Sequence, residues 1–163
     1  DTTLAESGAI LEYLSAVYGG GRFTPAAGTP EWLHYTYFMH YAEGSLMPLL
    51  FMKLVFGKLP ERVPFLMRPV ARAISGGADK TLLAPQISNH FAFLEGELHK
   101  REWFAGASFS AADIQMSFPL EAAAARSPLF ARLPKLKAFV DRIQARPAYK
   151  RAVEKGGHYE ILK

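Results

Sequence analysis

The apolar positions of this chain recur at the 3.6-residue spacing of helices almost from end to end. Ile10, Leu11, Leu14, Val17 and Tyr18 mark one face of a first helix, Thr3 to Tyr18, which Gly19-Gly20-Gly21 stops. Thr29-Pro30-Glu31 opens a second helix with a capping hydroxyl, a proline at the first helical position and an acid in the first turn. It is expected to run to about Phe56 and end at Gly57. Pro48 inside it cannot donate to the carbonyl of Gly44, so the spacing predicts a kink near 44–48. Pro60 to Ser75 contains Pro64 and Pro69 and reads as helix in pieces, ended by Gly76-Gly77. A helix from Asp79 or Thr81 to about Lys100 turns Leu82, Leu83, Ile87, Phe91, Leu94 and Leu98 inward. Helices at Ala111 to about Ala125, Leu133-Pro134 to about Ala145, and Pro147 to about Lys155 complete the series. No stretch alternates with period two for long enough to be a strand. The fold class is all-α, with short loops that favour a helical bundle.

The clearest helix start is Phe109-Ser110-Ala111-Ala112-Asp113-Ile114. Ser110 is placed to accept from the Asp113 N–H, and Asp113 to reach back to the Ser110 N–H, as in a capping box. Phe109 and Ile114 have the spacing of a hydrophobic staple. The helix that follows carries only Asp113, Gln115, Ser117 and Glu121 as polar residues before Arg126, so it is expected to be buried on most sides. A cap matters more there, because water does not reach the free N–H groups of a buried helix end.

Composition narrows the class. The 163 residues suit one domain with a real core, half of them being hydrophobic. No Cys is present, which excludes disulfides, thiolate catalysis and Cys-ligated metals within the chain. The net charge of +4 is lopsided: Arg22 is the one basic residue of 1–52, and the remaining basic residues follow it. Lys135, Lys137, Arg142, Arg146, Lys150, Arg151 and Lys155 are spread around helices and mixed with Asp141 and Glu154, which reads as a solvated surface and not a nucleic-acid face. The most apolar run, Leu46 to Phe56, is interrupted by Pro48 and Lys53 and falls short of the ~18 apolar residues of a membrane span. The chain opens without a signal-peptide pattern, which predicts a cytoplasmic protein, and without Met, so it reads as the remainder of a longer one.

Candidate chemistry is sparse. The five His residues form no HExxH, and His34 and His40 do not share a helix face; His40 and Glu43 are one turn apart and read as a surface pair, so no metal site is expected. No GxSxG or phosphate loop occurs. Tyr35, Tyr37, Phe38, Met39, Tyr41, Met47, Phe51, Met52 and Phe56 are too many for one helix face. They imply a subunit interface, a wall of an apolar ligand pocket, or both. Glu6-Ser7 is open to two readings. Thr3-x-x-Glu6 is a capping box, or else the helix N-terminus binds a carboxylate through Ser7 while Glu6 receives an ammonium, together holding an amino-acid head group.

In order along the chain, several of these stretches resemble the cytosolic glutathione transferases. Leu4-Ala5-Glu6-Ser7-Gly8-Ala9-Ile10-Leu11-Glu12-Tyr13-Leu14 is similar to the segment that opens the last helix of that family's thioredoxin-like domain. Phe109 to Ile114 resembles the capping motif of its buried central helix, and Pro134-Lys135-Leu136 with Arg146-Pro147-Ala148-Tyr149 its terminal helices. His40 to Pro48 looks most like a branch known from fungi and bacteria. The resemblance implies a helical bundle of the family's C-terminal type, divided as 1–18 (last helix of a thioredoxin-like domain), 19–29 (linker) and 30–163 (helical domain).

It further implies glutathione as co-substrate, with Glu6 on its ammonium and Ser7 on its γ-glutamyl carboxylate. A hydrophobic electrophile would sit against a wall that includes Tyr41 and Ser45, and the protein would be a homodimer. The family's catalytic Tyr, Ser or Cys belongs to a region that would precede Asp1. The expectation is therefore a chain without most of the thioredoxin-like domain and without a catalytic residue of its own. The same helical domain also serves as a non-catalytic assembly unit in translation elongation and synthetase complexes, which is the alternative function.

Overall fold

The computed structural model describes residues 3–157, and no strand occurs among them. Eight α-helices follow one another: α1 (Ser7–Val17), α2 (Pro30–Tyr41), α3 (Met47–Arg62), α4 (Arg68–Ala78), α5 (Ala84–Lys100), α6 (Ala111–Arg126), α7 (Pro134–Ala145) and α8 (Pro147–Gly156). The all-α expectation holds for the described residues.

The predicted kink takes a specific form. Ala42–Leu46 is a π-helical turn between α2 and α3, closed by the Met47 N–H on the Ala42 carbonyl. Pro48 has no N–H to give, and widening the turn by one residue moves its ring away from the carbonyl it would strike. The device is repeated: a π turn at Asp79–Leu83 joins α4 to α5, closed by the Ala84 N–H on Asp79, one residue before Pro85. Gly57 and Gly76-Gly77 do not stop their helices, contrary to the sequence reading. A glycine in a helix costs about 1 kcal/mol, and the packing of α3 against α4 offsets that cost.

Helix α6 is the axis of the bundle, touching α1, α2, α3 and α7. Phe38 (α2), Phe104 and Phe139 (α7) pack in series, the first pair tilted and the second edge to face, with ring centroids 4.6 and 4.9 Å apart. Its start is secured from three directions. Asp113 is fully buried and accepts from the Ser110 N–H (2.8 Å), the Ser110 hydroxyl (2.9 Å) and the Phe104 N–H (2.8 Å). Both halves of the capping box are in place, but the well-formed half is the one Asp113 makes: the Ser110 hydroxyl donates to the carboxylate, and the Asp113 N–H lies 3.2 Å from the Ser110 carbonyl. The Ala111 N–H goes to the Phe23 carbonyl at 2.9 Å, so the glycine- and proline-rich loop before α2 is fastened to the bundle. Ile114 is 38% exposed, and Phe109 packs instead against Phe23, Trp103 and the guanidinium of Arg146, 3.5 Å from its ring centre. Arg142 likewise lies over Trp103 and donates to the Glu102 carbonyl. Two of the basic residues read as solvated are therefore aromatic partners.

Helix α1 reverses its predicted orientation. Ser15 is buried and Leu11 half-buried against the bundle, whereas Ile10, Leu14, Val17 and Tyr18 face out, Leu14 at 46% and Tyr18 at 71% exposure. The small residues Gly8 and Ser15 let α1 approach the bundle. Its apolar face is left on the outside.

Candidate functional site: an acid-lined cleft at the start of helix α1

The site begins with one backbone angle. Glu6 has φ 71° and ψ 120°, and it is the single non-glycine residue with positive φ among the described residues. Holding an L-residue there costs about 1–3 kcal/mol, and such strain persists where surrounding structure fixes it. The helix therefore starts at Ser7, with Glu6 at its N-cap making no side-chain capping bond. The Thr3 capping box of the sequence reading is not formed. The first-turn N–H groups of Ser7, Gly8 and Ala9 have no acceptor within the helix, and all three residues line an open cleft of about 520 Å³.

The opposite wall comes from the end of α2 and the π turn, with His40, Glu43 and Gly44 in the lining. Glu6, Glu12 and Glu43 line this cleft, and among the described residues no Lys or Arg does. Helix-end N–H groups thus share a small space with three acids, Glu6 and Glu12 from the α1 side and Glu43 from the wall opposite. That arrangement suits a zwitterion, with a carboxylate at the helix end and an ammonium among the acids. From the floor, Gln115 of α6 (4% exposed) donates through Nε2 to the Ser7 Oγ at 2.8 Å and to the Glu43 Oε1 at 3.3 Å. His40 and Glu43 share the lining, but Glu43 takes its hydrogen bond from Gln115.

Tyr41 and Ser45 do not reach this cleft. Tyr41 is buried, packed against Tyr37, Phe38 and Phe93, and its hydroxyl is hydrogen-bonded to the His90 Nδ1. Burial, with the neighbouring Tyr37, pushes the Tyr41 hydroxyl well above its usual range, and burial pushes His90 down. Ser45 is half-buried in the π turn. An apolar cavity of about 420 Å³ lies further along, between α3 and α6, with Leu50, Phe51, Leu54, Phe118 and Ala122 in its lining together with Lys58 and Arg126. Among the described residues, no cluster of three or more His, Asp or Glu could hold a metal ion, and no helix is long and apolar enough to cross a membrane.

The model of the family described as "Glutathione S-transferase, C-terminal domain" matches residues 47–147. The chain belongs to the glutathione S-transferase family. Glutathione S-transferase 3 of Schizosaccharomyces pombe is 31% identical over 155 residues, covering 94% of this chain and 63% of that protein. Glutathione S-transferase 1 of Saccharomyces cerevisiae is 30% identical over 122 residues, covering 74% of this chain and 52% of that protein. The chain thus spans roughly half to two thirds of the length of these relatives. Among solved structures, a sphingomonad glutathione S-transferase complexed with glutathione superposes with a TM-score of 0.67 at 26% identity, over 96% of this chain and 69% of that one.

Two residues of the cleft, Gln115 and Glu43, were not singled out for it by sequence reasoning. A signal existed for Gln115, since it is one of four polar residues before Arg126 on an otherwise apolar helix. Its partner lies 108 residues away in the chain, and nothing local announces that.

Proposed function

We propose that this chain is the helical part of a glutathione transferase and that the cleft at the start of α1 receives the γ-glutamyl end of glutathione. The reading is carried by the strained Glu6, which presents Ser7 and the free N–H groups of α1 to an acid-lined space. A merely structural helix start has no need of a positive φ at a non-glycine residue. Ser7, by hydroxyl and N–H, takes the α-carboxylate, and Glu6 takes the ammonium. Residues 1–18 then act as the last helix of a thioredoxin-like domain, 19–29 as the connection and 30–163 as the helical domain. The outward apolar face of α1, with Leu14, Val17 and Tyr18, suits packing on the rest of such a domain.

The groove between α3 and α6 is the better candidate for the hydrophobic co-substrate wall, because Tyr41 is occupied with His90. There the glutathione thiolate would bond to an electrophilic carbon as its leaving group departs, or to the terminal oxygen of a hydroperoxide as the O–O bond breaks and an alcohol leaves. In the second case another glutathione then displaces water from the sulfenic acid to form the disulfide. We assign no catalytic residue within this chain. A cytoplasmic homodimer is part of the same reading. The acid-lined cleft favours it over a non-catalytic assembly module, which needs no zwitterion site.

The test is retention of the full-length protein on immobilised glutathione. Replacing Glu6 and Ser7 together by alanine removes two charge-assisted contacts and is expected to weaken binding about 100-fold or more. Undiminished retention of a folded double variant would remove this site assignment.

A further inference from the structure

We infer that Gln115 is a positioning residue for the γ-glutamyl site: it fixes the Ser7 hydroxyl as a hydrogen-bond donor toward the ligand carboxylate. This rests on the proposed glutathione reading and names the group that makes it directional. The argument follows from the donor inventory. A carboxylate accepts and does not donate, so Glu43 Oε1 at 3.3 Å requires the Gln115 amide to turn its nitrogen toward it. The same nitrogen lies 2.8 Å from Ser7 Oγ. The two contacts together select one of the two amide orientations that its shape allows. The Ser7 oxygen is then occupied as an acceptor, and its O–H is left to donate.

A carboxylate arriving at the start of α1 meets a hydroxyl already turned the right way. Without this arrangement the rotor would be free to point its lone pairs at an anion. Gln115 is nearly fully buried and its helix carries the core residues Ala111, Ala112, Met116, Leu120 and Ala123, so the orientation is held by the core and not by a mobile surface side chain. Pro119, one turn later on α6, cannot donate to the Gln115 carbonyl, so part of the local helix ladder is given up where this side chain is placed. Glu43 has a second use here, since it also lines the space where the ammonium would sit.

The experiment is titration calorimetry on the full-length protein. Its ligands are glutathione and an analogue in which the γ-glutamyl α-carboxylate is replaced by hydrogen. Gln115→Met keeps the volume and removes the donor. It should weaken glutathione about three- to tenfold and the analogue, which keeps the ammonium, distinctly less, the size of effect expected for a disturbed hydrogen bond to a charged group. Gln115→Glu accepts the Ser7 hydroxyl hydrogen bond that would otherwise reach the ligand and sets a negative charge beside its carboxylate, so for glutathione it should cost more than Gln115→Met.

If Ser7→Ala binds glutathione as tightly as the unaltered protein, or if the unaltered protein binds none, the site reading itself falls. If Ser7→Ala weakens binding and Gln115→Met does not, or if Gln115→Met weakens both ligands equally, the role of Gln115 falls and the site reading stands. Should Gln115→Met not fold, the side-chain amide resonances of Gln115 in the unaltered protein decide. They should shift with glutathione and stay unmoved with the analogue, and the reverse result overturns the inference.

Discussion

Replacing Asp113 by alanine should destabilise the fold by about 3–5 kcal/mol, several times the ~1 kcal/mol of an ordinary surface cap. Three donors converge on this one side chain: the N–H groups of Phe104 and Ser110 and the Ser110 hydroxyl. Phe104, Ser110 and Asp113 are all buried, so alanine leaves these groups facing neither protein nor water, at about 1–3 kcal/mol for each group that finds no substitute. Asp113→Asn should recover part of the loss, because its one amide oxygen can still accept from Ser110 while its nitrogen is turned toward the Phe104 N–H. Denaturant unfolding measures the loss, and a change within 0.5 kcal/mol, the range of an ordinary surface substitution, would contradict it. Asp113 does not line the cleft, although Gln115, two residues later on α6, does. Folded Asp113→Ala should therefore bind glutathione as the unaltered protein does.

The same carboxylate gives a pH signature. Burial raises Asp113 from 3.8 to about 6, while the N–H and hydroxyl donors of Phe104 and Ser110 hold it from rising further. It is ionised at pH 7. The folded protein takes up its proton near pH 6, where the unfolded chain still binds almost none. This group therefore favours folding most below about pH 3.8, and that contribution is lost as pH rises through 6. The stability difference between the unaltered protein and Asp113→Ala should widen by about 1 kcal/mol between pH 7 and pH 5. A difference that narrows on acidification would contradict the assignment.

The second large effect is expected at Glu95, and the local sequence gives no hint of it. Helix α7 begins at Leu133-Pro134 without a side-chain cap of its own. Its free N–H groups are met by a residue of α5: Glu95 accepts from the Lys135 N–H through one oxygen and from the Leu136 N–H through the other, both at 2.9 Å. A buried negative charge at a helix N-terminus also interacts favourably with the helix dipole. Glu95→Ala leaves two N–H groups without an acceptor and should cost about 2–4 kcal/mol. Glu95→Gln keeps one accepting oxygen and should cost roughly half as much. Equal losses for the two variants in chemical denaturation would show that packing, and not capping, is what Glu95 supplies.

Local rules made some of this protein legible. Pro30, Pro134 and Pro147 each stand at the first position of a helix, as the sequence indicates. Thr29 caps α2 by accepting from the Trp32 N–H at 3.2 Å. Local rules failed where packing outweighed them: Gly57 and Gly76-Gly77 continue helices because about 1 kcal/mol per glycine is small beside the burial between α3 and α4. Tyr41 looked like a surface for ligands in a run of aromatic residues. In the fold its hydroxyl is taken by His90, 49 residues away.

The sequence by itself determined the all-α class, the register of most helices and the cap of α6, because each depends on residues within one or two turns of one another. It also marked Glu6-Ser7 as unusual, without choosing between a cap and a binding site. Only the tertiary structure decided that the helix starts at Ser7 on a strained Glu6, and that the apolar face of α1 looks outward. It alone brought Gln115 and Glu43 beneath Ser7 and turned Glu95 into the cap of another helix. These features need side chains brought together over 40 to 108 residues of chain. A periodic pattern records which face of a helix is apolar; it does not record what lies opposite.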